Sequence, residues 1–238
     1  MESRWYRGQS VPDIAKGSDD MPYLKPLAPI RKTPTSLKPK QYLLHGGLCL
    51  VLGVLFGIIA KYVDTVPANG WTGQLVNLVS HLTSSIGLWV FIATVLAVKS
   101  HHPRLAAIKV FSFFVGLLLA YYLYSMFLFG FFPTYYFIRW GAIALASPLA
   151  AYLVWYGGGK GWIAACLSAL PIGLLITTGY PFLYTFSITH GLELILAFIL
   201  VPIFSTTHRQ WLRLIIPTLL VVLILRHTSL LAFLFGGL

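Results

Sequence analysis

Apolar residues in this chain do not alternate with polar ones. They run together in blocks, separated by short turns rich in Gly, Pro and basic residues. A helix needs ~20 mostly apolar residues to cross a bilayer. The blocks at 42–63, 71–98, 105–129, 137–156, 162–178 and 181–204 approach or exceed that length. A seventh runs from Leu214 only to Leu225, and becomes a full span by extending to about Phe235. The pattern predicts an all-α, polytopic transmembrane helix bundle of about seven spans, or six if the last block does not cross. Residues 1–40 hold no such block and read as a basic, largely disordered cytoplasmic tail. Residues 41–238 read as the transmembrane helical domain. So long a polar lead-in does not suit a cleavable signal, and the first block is expected to stay as an anchor.

Small and polar residues within the blocks add detail. Gly46, Gly53 and Gly57 fall near one face of the first helix, and the four-residue step from Gly53 to Gly57 suits close helix packing. Lys61 and Asp64 stand three apart at its end, the spacing of a helical ion pair. The second block is dotted with Gln74, Asn77, Ser80, His81, Ser84 and Ser85. Asn77, His81 and Ser84 share a helical face, which either lines a polar cavity or hydrogen-bonds to neighbouring helices. Pro148, Pro171, Pro202 and Pro217 lie inside apolar blocks and are candidate kinks or hinges.

Composition narrows the class. Hydrophobic residues make up 58% and charged residues 10%, where a soluble domain carries about 25% charged. The net charge of +11 would suit nucleic acid were it not for its placement. Fourteen Lys and Arg fall on the side of the N-terminus and three on the other, the positive-inside asymmetry of a plasma-membrane protein with its N-terminus in the cytoplasm and its C-terminus outside. From Met21 the tail holds Lys25, Arg31, Lys32, Lys38 and Lys40 with no acid, a cluster that would attract anionic lipid of the bilayer. Cys49 and Cys166 sit in apolar blocks without a CxxC spacing and read as packing residues. Tyrosines 121, 122, 124, 135, 136, 180 and 184 gather toward the outer end, as an interfacial aromatic belt would.

Glu193 carries the candidate chemistry. Beyond the tail, Asp64 is the only other acid, and a carboxylate inside a membrane needs a partner. Counting helical rise, Glu193 and Arg226 lie roughly 18 and roughly 21 Å above the inner boundary, so the two were expected to meet if consecutive helices are neighbours. Arg139 is a second candidate partner. His190 lies one turn from Glu193 on the same face. Glu193, His190, Arg226 and Arg139, with Asn77 and His81, form the candidate substrate or ion pathway; a structural clasp between the last two helices is the alternative.

From Gly53 onward the chain resembles a family of multi-pass bacterial membrane proteins with no assigned function. The resemblance rests on Gly53, Gly57, Ala60, Lys61 and Asp64, on Ala120-Tyr121-Tyr122, and on Ser147-Pro148. It continues through Trp155-Tyr156 and Lys160-Gly161-Trp162. It implies a bacterial plasma membrane and no catalytic residue.

Motifs for enzymes are missing. There is no HExxH and no Gly-x-Ser-x-Gly, and the membrane holds too few carboxylates for aspartyl chemistry. Gly157-Gly-Gly-Lys-Gly161 lacks the Ser or Thr of a phosphate loop. The reading leans away from an enzyme and expects no cofactor or metal. A non-catalytic membrane component or partner subunit ranks narrowly ahead of a small-solute or ion transporter.

Overall fold

The computed structural model describes residues 31–32, 38–66, 70–205 and 207–228. These residues form nine helices and no strand: α1 (Pro39–Thr65), α2 (Gly70–Ser84), α3 (Ile86–Val98), α4 (Pro103–Phe129), α5 (Thr134–Gly157), α6 (Trp162–Gly179), α7 (Phe182–Thr185), α8 (Ile188–Phe204) and α9 (His208–His227). Local chemistry sets several ends. Pro39 and Pro103 occupy first-turn positions, where a missing N–H costs nothing. The His102 ring accepts the Arg104 N–H at 3.2 Å, and Gly130 closes α4 with φ of 70°.

Five stretches are long and apolar enough to cross a membrane: α1, α4, α5, α6 continued through α7, and α9. The bent pair α2/α3 makes a sixth. These helices are those of a membrane protein with five to six candidate spans, where about seven, or six, are expected from the sequence. The difference lies in Pro181–Phe204. Phe186 takes a left-handed φ of 52°, which ends the one-turn α7 and leaves α8 with 17 residues. The extension of the last block to Phe235 and the tail before residue 31 lie outside the described residues.

Burial is inverted relative to a soluble bundle. Leu43, Phe127, Leu145 and Phe198 are largely exposed on the outside, where lipid would cover them. Close contacts inside are made by small residues, because lipid tails are as apolar as Leu and packing must come from shape. A Cβ on Gly53 would meet the Phe113 carbonyl and, at 2.9 Å, the Leu117 nitrogen. One on Gly57 would stand 3.0 Å from the Ala120 Cβ, and one on Gly116 3.1 Å from the Val54 nitrogen. Backbone therefore lies on backbone along the α1–α4 seam. Gly46 touches Ile108 and Ser112 of the same helix more loosely.

Helix α3 stands between two groups. It touches α4 and α5, with α1 packed on α4, and it touches α8 and α6. Helix α6 is flanked by α8 and α9. Gly179 leaves room for the His190 carbonyl and Leu194 of α8, and Gly173 for Val221 of α9. Trp155, fully buried, ties α5 to the α3–α4 turn by donating its indole N–H to the Ser100 carbonyl at 2.7 Å.

The four prolines at 148, 171, 202 and 217 all lie inside continuous helices. The sharp break, 66° between Gly73–Ser84 and Ile86–Val98, comes at Ser85, where no proline stands.

Candidate functional site

The break falls in a run of hydroxyl side chains. Thr83, Ser84 and Ser85 follow one another, and such side chains compete with the helix for its own carbonyls. The Thr83 hydroxyl donates to the Val79 and Ser80 carbonyls, both at 3.0 Å, and the Ser85 hydroxyl to the Leu82 carbonyl at 3.1 Å. Ser85 itself is extended (φ −80°, ψ 143°), so α3 starts afresh at Ile86. The Trp89 indole N–H donates to the Thr83 carbonyl at 2.8 Å, satisfying an acceptor beside the break.

Glu193 is seated at that new helix start. It is 5% exposed, on the buried stripe Glu193, Ala197, Leu200 and Phe204 of α8. Its Oε1 lies 2.8 Å from where a Gly87 Cβ would be, so only glycine leaves this space. Gly87 is the second residue of α3, whose first N–H groups lack helical acceptors and whose dipole favours negative charge. The Thr178 and Ser85 side chains and His190 lie near enough to the carboxyl group to act on its charge. Each hydroxyl has one proton, and both also lie within reach of helix carbonyls: Leu174 and Leu175 at 3.2 Å for Thr178, Leu82 at 3.1 Å for Ser85. A hydroxyl turned to Glu193 gives up its carbonyl.

The structure does not bring Arg226 to Glu193. Its guanidinium rests on the Tyr180 ring, 3.9 Å from the centroid, and α6 lies between α8 and α9. Consecutive helices are not neighbours here because the glycines of α6 let it pack closely against both. Arg139 sits over the Tyr135 ring at 4.9 Å, away from the carboxylate. Asn77 and His81 are exposed on α2. Of the proposed cluster, Glu193 and His190 are together. The sequence marks Ser85 only as one of the polar positions of the second block, and does not single out Gly87 or Thr178. The Thr-Ser-Ser run followed by Ile-Gly was the available signal.

A cavity of about 460 Å³ lies on the other side of the break, between α1, the α2–α3 corner, α4 and the start of α5. Ser84 and Trp89 reach it from the break, with Phe114, Leu117 and Leu118 from α4. Lys61 and Asp64 stand in its wall. The Lys61 ammonium bonds Asp64 Oδ2 at 3.2 Å, and the Tyr121 hydroxyl donates to the same oxygen at 3.1 Å. Tyr121 and Phe129 rings flank the ammonium, each 4.9 Å away. This is the one ion pair among the described residues. No group of three or more metal-ligating side chains stands together among them.

Arg31, expected to face lipid, is turned onto the protein. Its guanidinium donates to the Val98 carbonyl at 3.2 Å and the Trp155 carbonyl at 3.0 Å, and lies 4.2 Å over the Trp155 ring. It thus caps the C-terminal ends of α3 and α5, where a cation suits the dipoles. Burial there lowers its pKa from the ordinary arginine value. Lys32, Lys38 and Lys40 are exposed, and Lys25 lies outside the described residues.

No curated protein and no solved structure matches the chain. The sequence model of a family described as a family of unknown function, DUF6518, matches residues 36–236 and so takes in every described helix, the break and the cavity. By that match, the chain belongs to DUF6518.

Proposed function

We propose that the protein is a plasma-membrane transporter of a small solute, with a proton on Glu193 as the coupling ion. The observation that carries this reading is the helix break at Ser85 with a buried carboxyl group seated on it. Interrupted helices deep in a bundle are where transporters place their sites, because the freed backbone and the helix dipole act on a ligand. An intramembrane carboxyl group is costly to retain. A structural clasp would need an ion partner, and Arg226 is on Tyr180 instead. With the N-terminus in the cytoplasm, as the charge asymmetry favours, the cavity faces outward and Arg31 faces inward.

The test is flux in vesicles. Purified protein is reconstituted with a pH-sensitive dye inside and exposed to a panel of small acids, amines, sugars and amino acids. A solute-dependent change of internal pH that Glu193→Gln abolishes is the expected result. No response across the panel, together with stoichiometric co-purification of another membrane protein, would return the partner-subunit role to first place.

A further inference from the structure

The cavity beside the break has chemistry of its own. Its volume falls within the ~300–1,000 Å³ typical of small-molecule sites. Its wall is mainly aromatic and aliphatic, with a few hydroxyls such as those of Thr83, Ser84 and Ser125, and with charge at one place only, the Lys61–Asp64 pair. That pair is asymmetric. The Lys61 side chain is 8% exposed and Asp64 36%, so the ammonium is the better shielded of the two. Asp64 Oδ2 is already the acceptor for both Lys61 and Tyr121. An ammonium has three N–H groups, and Asp64 engages one side of it. Tyr121 and Phe129 flank it with ring faces that can accept no strong hydrogen bond.

We propose that this cavity is the solute site and that it takes a compact hydrophobic monocarboxylate. The carboxylate would bond to the Lys61 ammonium, a charge-assisted contact strengthened by the dry surroundings. The ring or short chain would lie against Trp89, Phe114 and Leu118. A cationic solute would meet Lys61 as a like charge. Ser84 lines the cavity while Ser85 faces Glu193, so one peptide joins the solute site to the proton site. The proposal rests on the transport reading for its purpose and on the cavity alone for its chemistry.

The test is binding to the full chain in nanodiscs, with benzoate as the probe and benzyl alcohol and benzylamine as its neutral and cationic counterparts. Quenching of tryptophan fluorescence and calorimetry both read it. Benzoate should bind saturably and about tenfold more tightly than either counterpart, the ratio a charge-assisted bond supplies. Lys61→Met/Asp64→Asn removes both charges together, which avoids stranding one, and should erase that preference. Tyr136→Leu alters an exposed wall residue without touching the ion pair and should weaken benzoate several-fold, a second readout if the double variant fails to fold. Preference for benzylamine, equal binding of all three probes, or no saturable binding would overturn the proposal. Benzoate binding without any coupled flux would keep the site and remove the transport reading. Coupled flux of other solutes without benzoate binding would do the reverse.

Discussion

The α1–α4 seam and the α3–α8 contact both depend on glycine, but each glycine makes room for something different. At Gly53 and Gly57 the missing side chain admits another backbone, and the contact is uninterrupted helix on uninterrupted helix. At Gly87 it admits the Glu193 carboxyl group, and the contact sits on a helix that has just restarted. The first arrangement gains only packing, which in lipid is what holds helices together. The second keeps a titratable group in a dry place, at a cost in stability that packing elsewhere must offset. A membrane bundle can therefore use the same residue to remove chemistry from an interface or to install it.

The largest effect should come from the seam. Gly53→Val would push a branched side chain into the α4 backbone and cost ~3 kcal/mol, the upper end for overpacking. Thermal unfolding of the detergent-purified protein reads it, and a wild-type midpoint would mean that α1 is not locked on α4 there. Next comes the charge that does have an ion partner. Asp64→Asn strands the buried Lys61 ammonium and should cost ~1–2 kcal/mol, discounted because Asp64 is partly exposed. Glu193→Gln, which breaks no ion pair, should stay within ~0.5 kcal/mol of wild type, near the scatter of benign changes. Equal losses for the two variants would erase the distinction between a paired and an unpaired charge.

Gly87→Ala sharpens the comparison further. The added methyl improves helix propensity by up to ~1 kcal/mol and crowds Glu193, so little net change in midpoint is expected. Any solute-coupled pH change in vesicles should nevertheless fall steeply, because the carboxyl group must leave its place at the helix start. Retained coupling with Ala at this position would show that the docking of Glu193 on Gly87 has no part in function. The smallest effect concerns Glu193→Gln and Arg226→Gln together. Since α6 separates their helices, the two changes should add to within ~0.5 kcal/mol in a double-mutant cycle. A coupling well above that would bring back the clasp between the last helices.

Much of the organisation was legible in the chain. Apolar blocks longer than any soluble helix face, and basic residues massed on one side, describe a membrane bundle without reference to contacts. The spacing of Lys61 and Asp64 within one helix was enough to pair them, since neighbours three apart on a helix must lie together. Glu193 stood out because a carboxylate in an apolar block is costly wherever it points. Its surroundings could not be read in the same way. Chain order points to Arg226 as its partner, and the fold breaks that order by inserting α6 between the two helices.

The Ser85 break was harder to see for another reason. Thr and Ser are tolerated in membrane helices as well as at helix starts, so Thr83-Ser84-Ser85 alone does not distinguish a bend from a straight span. Packing decides it, through the Trp89 bond to the Thr83 carbonyl and the seat that Gly87 offers. Arg31 is similar: a basic residue in a polar tail reads as lipid-facing until two helix ends and the Trp155 ring are found beside it.

By itself, then, the sequence determined what depends on length, composition and neighbours along one helix: the helical membrane class, the basic leader, the Lys61–Asp64 pair and the presence of an acid within an apolar block. Only the tertiary structure decided which helices touch, where the second span breaks, what surrounds Glu193 and that a cavity lies on the far side of the same break. The physical reason is that hydropathy is a property of each residue and its near neighbours, whereas close packing is a property of surfaces brought together from distant parts of the chain. In lipid, where apolar burial does not choose between helices, shape and hydrogen bonds make that choice.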